Sequence, residues 1–240
     1  MTTVVISQPM YFPWPGFLAQ MALADVFIWL DDAQFSKGSF TNRVQVRIGD
    51  AVKWMTVPLA GKGSHQIIND LEPATPGWSA THRDLLRGAL QGRPRLEAAL
   101  ACFDGAIAGE EGALSDLLIR SAEGLAEVLG IQPSRILKSS AMNVAGSGSA
   151  RVLALVRAVS GTRYVTGHGA AGYLDHERFE AAGVEVAYMD YQVRPWDQGD
   201  IPFSPYVTAL DLLSALPGAE ARPCLNPVTR PWRAHLEATR

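Results

Sequence analysis

Cysteine is scarce. The 240 residues hold two, Cys102 and Cys224, in unrelated surroundings. That number builds neither a disulfide framework nor a thiolate zinc site, and it suits a reducing compartment. Long apolar runs are also missing, and no stretch approaches the roughly 20 residues of a membrane span. The first apolar run, Val4-Val5-Ile6, is too short for a signal peptide and has no basic residue ahead of it. Runs of positive charge are absent too. The 21 lysines and arginines are scattered and the net charge is −3, so nothing in the charge points to nucleic acid. Histidines His65, His82 and His235 lack metal-ligand spacing, which argues against a catalytic zinc. These absences predict a cytoplasmic protein whose partner is a small molecule, with no metal site. They identify no cofactor and no oligomeric state.

What is present is concentrated near the start, in Ser7-Gln8-Pro9-Met10-Tyr11-Phe12-Pro13-Trp14-Pro15-Gly16-Phe17. The β-branched run before it reads as a buried strand that must stop at Pro9. Three prolines forbid a helix across the loop and set φ at each position. Gly16 then frees the backbone for a short helix, and Val26-Phe27-Ile28-Trp29-Leu30 reads as a second buried strand ending at Asp31-Asp32. A strand-loop-helix-strand unit with polar groups at the strand ends is how open α/β sheets present a ligand edge.

Further on, Val44-Gln45-Val46-Arg47-Ile48 alternates apolar and polar, turns at Gly49-Asp50, and returns through Lys53–Leu59. This predicts an antiparallel hairpin over 44–59. A loop at Gly61-Lys62-Gly63-Ser64 and a short strand at Gln66–Leu71 are expected next. Leucine stripes predict a helical insertion over about 79–130. The α/β alternation resumes with strands near Ser134–Leu137, Tyr164–Thr166 and Val184–Tyr188. The last helix is expected over Thr208–Leu216, and residues 217–240 read as a Pro- and Arg-rich tail. The expected fold is one α/β domain over residues 1–216: a Rossmann-like, mainly parallel twisted sheet, an antiparallel β-hairpin and the helical insertion.

Candidate chemistry gathers at the expected strand ends. One of Asp31 and Asp32 is placed to face the edge as general base, hydroxyl acceptor or Mg2+ ligand. Lys37, Asn42 and Arg43 share one polar loop, and Lys and Arg pair naturally with phosphate or carboxylate. Ser139 and Ser140 follow a strand, where hydroxyls and free backbone N–H groups form an anion nest. No G-x-S-x-G surrounds Ser139, so a covalent nucleophile is not expected there. Gly167-His168-Gly169-Ala170-Ala171-Gly172 fits G-x-G-x-x-G, but too little chain follows it for a dinucleotide fold. A turn that lets a ligand approach the backbone, with His168 in contact, is the better reading. His176 is expected on a helix surface.

The chain resembles the WbqC-like family. The resemblance rests on Gln8-Pro9-x-Tyr11-x-Pro13-x-x-Gly16, Asp25, Asp31-Asp32-x-Gln34-Phe35-x-Lys37, Asn42-Arg43, Trp54-x-x-x-Pro58 and Ser139-Ser140. It continues through Tyr164-x-x-Gly167, Tyr173-Leu174-Asp175, Gln198, Phe203 and Asp211-Leu212-Leu213, while Thr208 stands where the family has serine. The resemblance implies a setting in the biosynthesis of surface polysaccharides or natural products, and no assigned reaction. The expected activity is a transferase that modifies a sugar or small metabolite using an activated, anionic donor, such as a sugar nucleotide or an acyl or aminoacyl donor. Asp31, Asp32 and Lys37 are its expected catalytic residues. Gln8, Tyr11, Trp14, Gly16, Gln34, Asn42, Arg43, Ser139, Ser140, Gly167, His168 and Gln198 are its expected binding residues. The alternative is a non-catalytic binding or scaffold protein of the same pathway.

Overall fold

The computed structural model describes residues 1–61, 66–74, 76–108, 113–199 and 202–239. Residues 62–64 of the expected loop, and His65, lie outside them.

Strand β1 (Thr3–Ser7) leads through the proline loop into α1 (Pro15–Met21) and then β2 (Val26–Trp29). Helix α1 starts two residues before the expected Phe17, because Pro15 occupies its first turn, where no backbone N–H is needed. The hairpin is β3 (Arg43–Ile48) and β4 (Ala51–Thr56), paired antiparallel. Helices α2 (Trp78–Ala89), α3 (Leu96–Ile107) and α4 (Leu114–Val128) follow, then β5 (Arg135–Lys138) and α5 (Gly148–Ala158). Next come β6 (Arg163–Thr166), α6 (His176–Ala181), β7 (Glu185–Met189) and α7 (Ala209–Ala215). The chain closes with α8 (Gly218–Ala221), β8 (Thr229–Pro231) and α9 (Trp232–Ala238).

Among the described residues six strands form one sheet in the order β5-β2-β1-β6-β7-β8, and the hairpin stands apart. Within the six-stranded sheet the strands pair in parallel except β7 with β8. Counted within the sheet alone, the order is 3-2-1-4-5-6, the doubly wound pattern. Winding runs outward from β1 to β2 and β5, then crosses back to β6. The reversal therefore lies between β1 and β6. Alternate residues of the central strands enter opposite cores. Val5, Phe27, Trp29, Val165 and Ala187 pack with the hairpin and with α2, α3 and α4. Val4, Ile6, Ile28, Tyr164, Val186 and Tyr188 pack with α5 and α6. Burial on both faces explains why these strands read as continuous apolar runs.

Two local expectations give way. Gln66–Leu71 is no strand: Ile67 makes a single bridge to Gln34, and Ile68–Asp70 turn in a 3-10 helix. The Ile68 N–H donates to the Ala33 carbonyl (3.0 Å), so the segment wraps the loop after β2 rather than extending. His176 is buried instead of exposed. Its Nε2 lies 2.8 Å from the Tyr188 hydroxyl, and its ring stacks on Trp232. Trp232 arrives from the far end of the chain, which the local pattern of α6 cannot reveal. The segment after residue 216 is built in as β8 and α9, against β7.

Candidate functional site

The carboxyl ends of β2 and β5 lie side by side because the two strands pair in register, Trp29 opposite Lys138. Beyond that pair the two chains stay close: Leu30 and then Asp31-Asp32 follow on one, Ser139-Ser140 on the other, and the four polar residues meet. Asp31 is 2% exposed. One of its carboxylate oxygens accepts from the Ser140 N–H (3.0 Å) and lies 3.2 Å from the Ser139 hydroxyl, whose single proton is nearer Asp32. The other accepts from the Ser140 hydroxyl (2.6 Å) and Asn69 Nδ2 (3.3 Å). Asp32 takes the Ser139 hydroxyl at 2.5 Å and pairs with the Arg151 guanidinium. Both aspartates thus meet the same serine, so the expected division into one edge-facing and one averted residue does not hold.

Burial opposes ionisation of Asp32, yet the Arg151 and Ser139 hydrogen bonds and the Arg151 charge outweigh it and hold the carboxyl below its ordinary range. A carboxyl depressed in the folded state stabilises the protein above its unfolded value, near 3.8, and loses that contribution as pH falls through the folded value. Arg151→Gln is expected to raise the Asp32 value and bring this loss on at higher pH. Urea denaturation between pH 3 and 7, on wild type and variant, reads the displacement directly.

The other expected residues have more varied surroundings. Gln8, half-buried at the end of β1, reaches the Gln34 carbonyl at 3.5 Å, and so links β1 to the loop after β2. Lys37 is exposed on that loop. Asn42 is buried and donates to the Val57 carbonyl at 2.9 Å, closing the open end of the hairpin. Arg43 donates to the Gly38 and Ser39 carbonyls and lies over the Trp54 ring, 4.0 Å from its centroid. Tyr11 is wholly buried, its hydroxyl 2.9 Å from His82 Nδ1, and is a core residue rather than an open wall. Burial pushes His82 down to about 4, against an opposing Thr56 backbone bond. Gln198 is buried in a separate polar cluster, accepting from Arg47 Nη1 (2.6 Å) and donating to the Ser204 carbonyl (3.0 Å).

Gly16 and Gly167 stand at close approaches. A Cβ on Gly16 would lie 1.9 Å from the Trp14 indole, and one on Gly167 would lie 2.6 Å from the Tyr191 hydroxyl. Trp14 and His168 occupy the same carboxyl side, after β1 and after β6. Outside the β5 edge an open depression of about 580 Å³ adjoins the serines, lined by Trp29, Asp116, Glu123, Ile136 and Lys138. Arg120 also lines it; Lys138 pairs with Asp116, and the Trp29 indole N–H donates to Glu123. Among the described residues no three His, Cys, Asp or Glu side chains gather as metal ligands. No helix among them is long and apolar enough to cross a membrane.

Residues 8–222 match the WbqC-like protein family. The chain belongs to that family. It is also 32% identical over 225 residues to the uncharacterized protein Rv1507c of Mycobacterium tuberculosis (strain ATCC 25618 / H37Rv), covering 92% of this chain and 96% of that protein. No solved structure matches it. The quoted family residues divide in two. Asp31, Asp32, Ser139 and Ser140 make the edge network; Tyr11, Asn42, Arg43 and Gln198 are bonded within the framework.

Arg151 and Asn69 belong to the edge network and escape a sequence reading. Arg151 carried one usable signal. It stands near the N-terminus of α5, where the helix dipole disfavours a cation unless a carboxylate faces it.

Proposed function

We propose that this WbqC-like protein is a cytoplasmic transferase that modifies a sugar or small metabolite of a biosynthetic pathway with an activated, anionic donor. Acyl or aminoacyl transfer to an amino group is the favoured reaction within that class. The observation that carries the reading is the bonding of Asp31 and Asp32, at the end of β2, to Ser139 and Ser140, more than a hundred residues away. Burying a carboxylate is costly unless donors satisfy it, and here they do so and fix both carboxylates at the sheet edge. Open α/β sheets take their ligands at this edge.

The geometry supports a division of roles. Ser140 is exposed and gives its hydroxyl proton to Asp31, so its lone pairs face outward to accept from an acceptor amine or hydroxyl. Asp32 holds its charge beside the same serine pair and orients the acceptor. Lys37 and Arg151 are the cations for the donor's anionic part, and Gln8 reads a polar group from β1.

A second reading, a binding protein that presents a precursor to other enzymes, draws support from one fact. The Asp31 carboxylate already accepts from three donors, and Asp32 takes the Ser139 proton and is ion-paired, an arrangement that shapes a pocket without a vacant base.

The test is Asp32→Asn, assayed against acyl-CoA thioesters, sugar nucleotides and nucleoside triphosphates with Mg2+. A transferase loses turnover by about a hundredfold or more with ligand binding kept. A change in affinity alone, with no turnover in wild type, contradicts the transferase and supports the binding protein.

A further inference from the structure

On the β6–β7 side of the edge two aromatic rings, Tyr191 and Tyr206, are held in place by the buried Trp14 and left partly uncovered. Trp14 stands in the middle, its ring 4.9 Å from Tyr191 and 5.3 Å from Tyr206, inclined by 53° and 56°. Tyr206 is 50% exposed, an unusual degree for a large ring resting on a core residue. Trp14 has its place only because Gly16 has no side chain. The Tyr191 hydroxyl has its place only because Gly167 has none, and it donates to Gln20 Oε1 (3.2 Å). Gln20 in turn donates to the Val165 carbonyl of β6 (3.4 Å). Rings fixed before a ligand arrives reduce the ordering cost of binding.

His168 stands at the rim. It is exposed, and its ring lies 5.2 Å from that of Tyr191. Its Nε2 is 2.9 Å from the Met189 carbonyl oxygen, which can only accept, so Nε2 carries the proton. In the neutral ring Nδ1 is then an acceptor.

We propose that Tyr191 and Tyr206, held by the buried Trp14 and with His168 at their rim, form a subsite for the apolar face of a sugar ring. The proposal rests on the transferase reading above and names its substrate class. Aromatic faces are electron-rich and attract the weakly positive C–H groups that a sugar ring presents on one side. His168 Nδ1 supplies an acceptor for a hydroxyl at the sugar's edge. The subsite lies beside the β1–β6 reversal, where doubly wound sheets take their ligands.

The experiment is saturation-transfer NMR on the full chain with UDP-, GDP- and dTDP-linked hexoses and their methyl glycosides. Saturation is expected to fall mainly on sugar-ring protons, and Tyr206→Ala is expected to weaken the dissociation constant by about tenfold. Tyr206 is half in water, so its removal spares the fold, and an unchanged melting temperature verifies this. His168→Ala is expected to weaken binding without changing which protons saturate. Three results overturn the subsite: silence across the panel, saturation dominated by base protons, or a Tyr206→Ala constant unchanged. Sugar binding without turnover keeps the subsite and contradicts the transferase. Turnover with an unaltered KM in Tyr206→Ala does the reverse.

Discussion

Asp31→Ala is expected to destabilise the protein by about 3–5 kcal/mol, at the upper end of what one substitution does. The carboxylate is buried and accepts from the Ser140 hydroxyl, the Ser140 backbone N–H and the Asn69 amide, with the Ser139 hydroxyl 3.2 Å away. Alanine removes every acceptor at once and leaves Ser139, 1% exposed, without that partner. Hydrogen bonds to a charged group contribute roughly 1.5–3 kcal/mol each and do not add fully. The melting temperature should fall by roughly 6–20 °C, since each kcal/mol is about 2–4 °C for a chain of this size. Asp31→Asn keeps the shape and part of the acceptor set, so a loss nearer 1–2 kcal/mol is expected. Equal, small losses in both variants, measured by urea denaturation, would mean that the network contributes little to stability. For this reason the test of turnover is placed on Asp32, which is less buried and has fewer partners.

Gly16→Ala should be nearly as damaging, for a different reason. The residue lies in α1 and has ordinary helical geometry, so helix propensity alone favours alanine by about 1 kcal/mol. The added methyl would meet Trp14 Cζ3 at 1.9 Å and Cη2 at 2.1 Å. The indole must leave its place against Tyr191 and Tyr206. Overpacking of this kind costs about 1–3 kcal/mol or more, and losing the indole's burial adds to it. A net loss of about 2–3 kcal/mol is expected, with a red shift of tryptophan emission as Trp14 meets water. A variant as stable as wild type with unchanged emission would show that the ring has somewhere else to go.

These two substitutions also mark what could be read from the residues alone. β1, β2, the hairpin and the strands from β5 to β7 announce themselves locally, through β-branched runs, alternation and the turn residues between them. That Asp31-Asp32 and Ser139-Ser140 end strands was legible for the same reason. That they meet follows only from the pairing of β2 with β5, a contact across more than a hundred residues. Tyr11 reads as a binding residue because it lies in the proline- and aromatic-rich loop after β1. It turns inward because His82, on α2, supplies the partner its hydroxyl needs. Asn42 and Arg43 looked like free polar groups in a loop, but Asn42 satisfies a hairpin carbonyl and Arg43 holds the loop's own carbonyls. Gly16 and Gly167 were noticed as turn residues, whereas each makes room for a specific ring. The segment after residue 216 carried proline and arginine and no clear periodicity. Its three-residue strand is stabilised by the waiting edge of β7, which no local pattern encodes.

The most direct test of the account is amide chemical-shift mapping of whichever compound in a donor panel raises the melting temperature. A ligand at about 100 times its dissociation constant adds roughly 2.7 kcal/mol, enough to be seen. The account predicts shifts clustered at Gln8, Asp31 to Lys37, Ser139 to Arg151 and Gly167-His168. Shifts confined to the depression outside β5, around Asp116, Glu123 and Ile136, would contradict it and move the functional site off the carboxyl edge of the sheet.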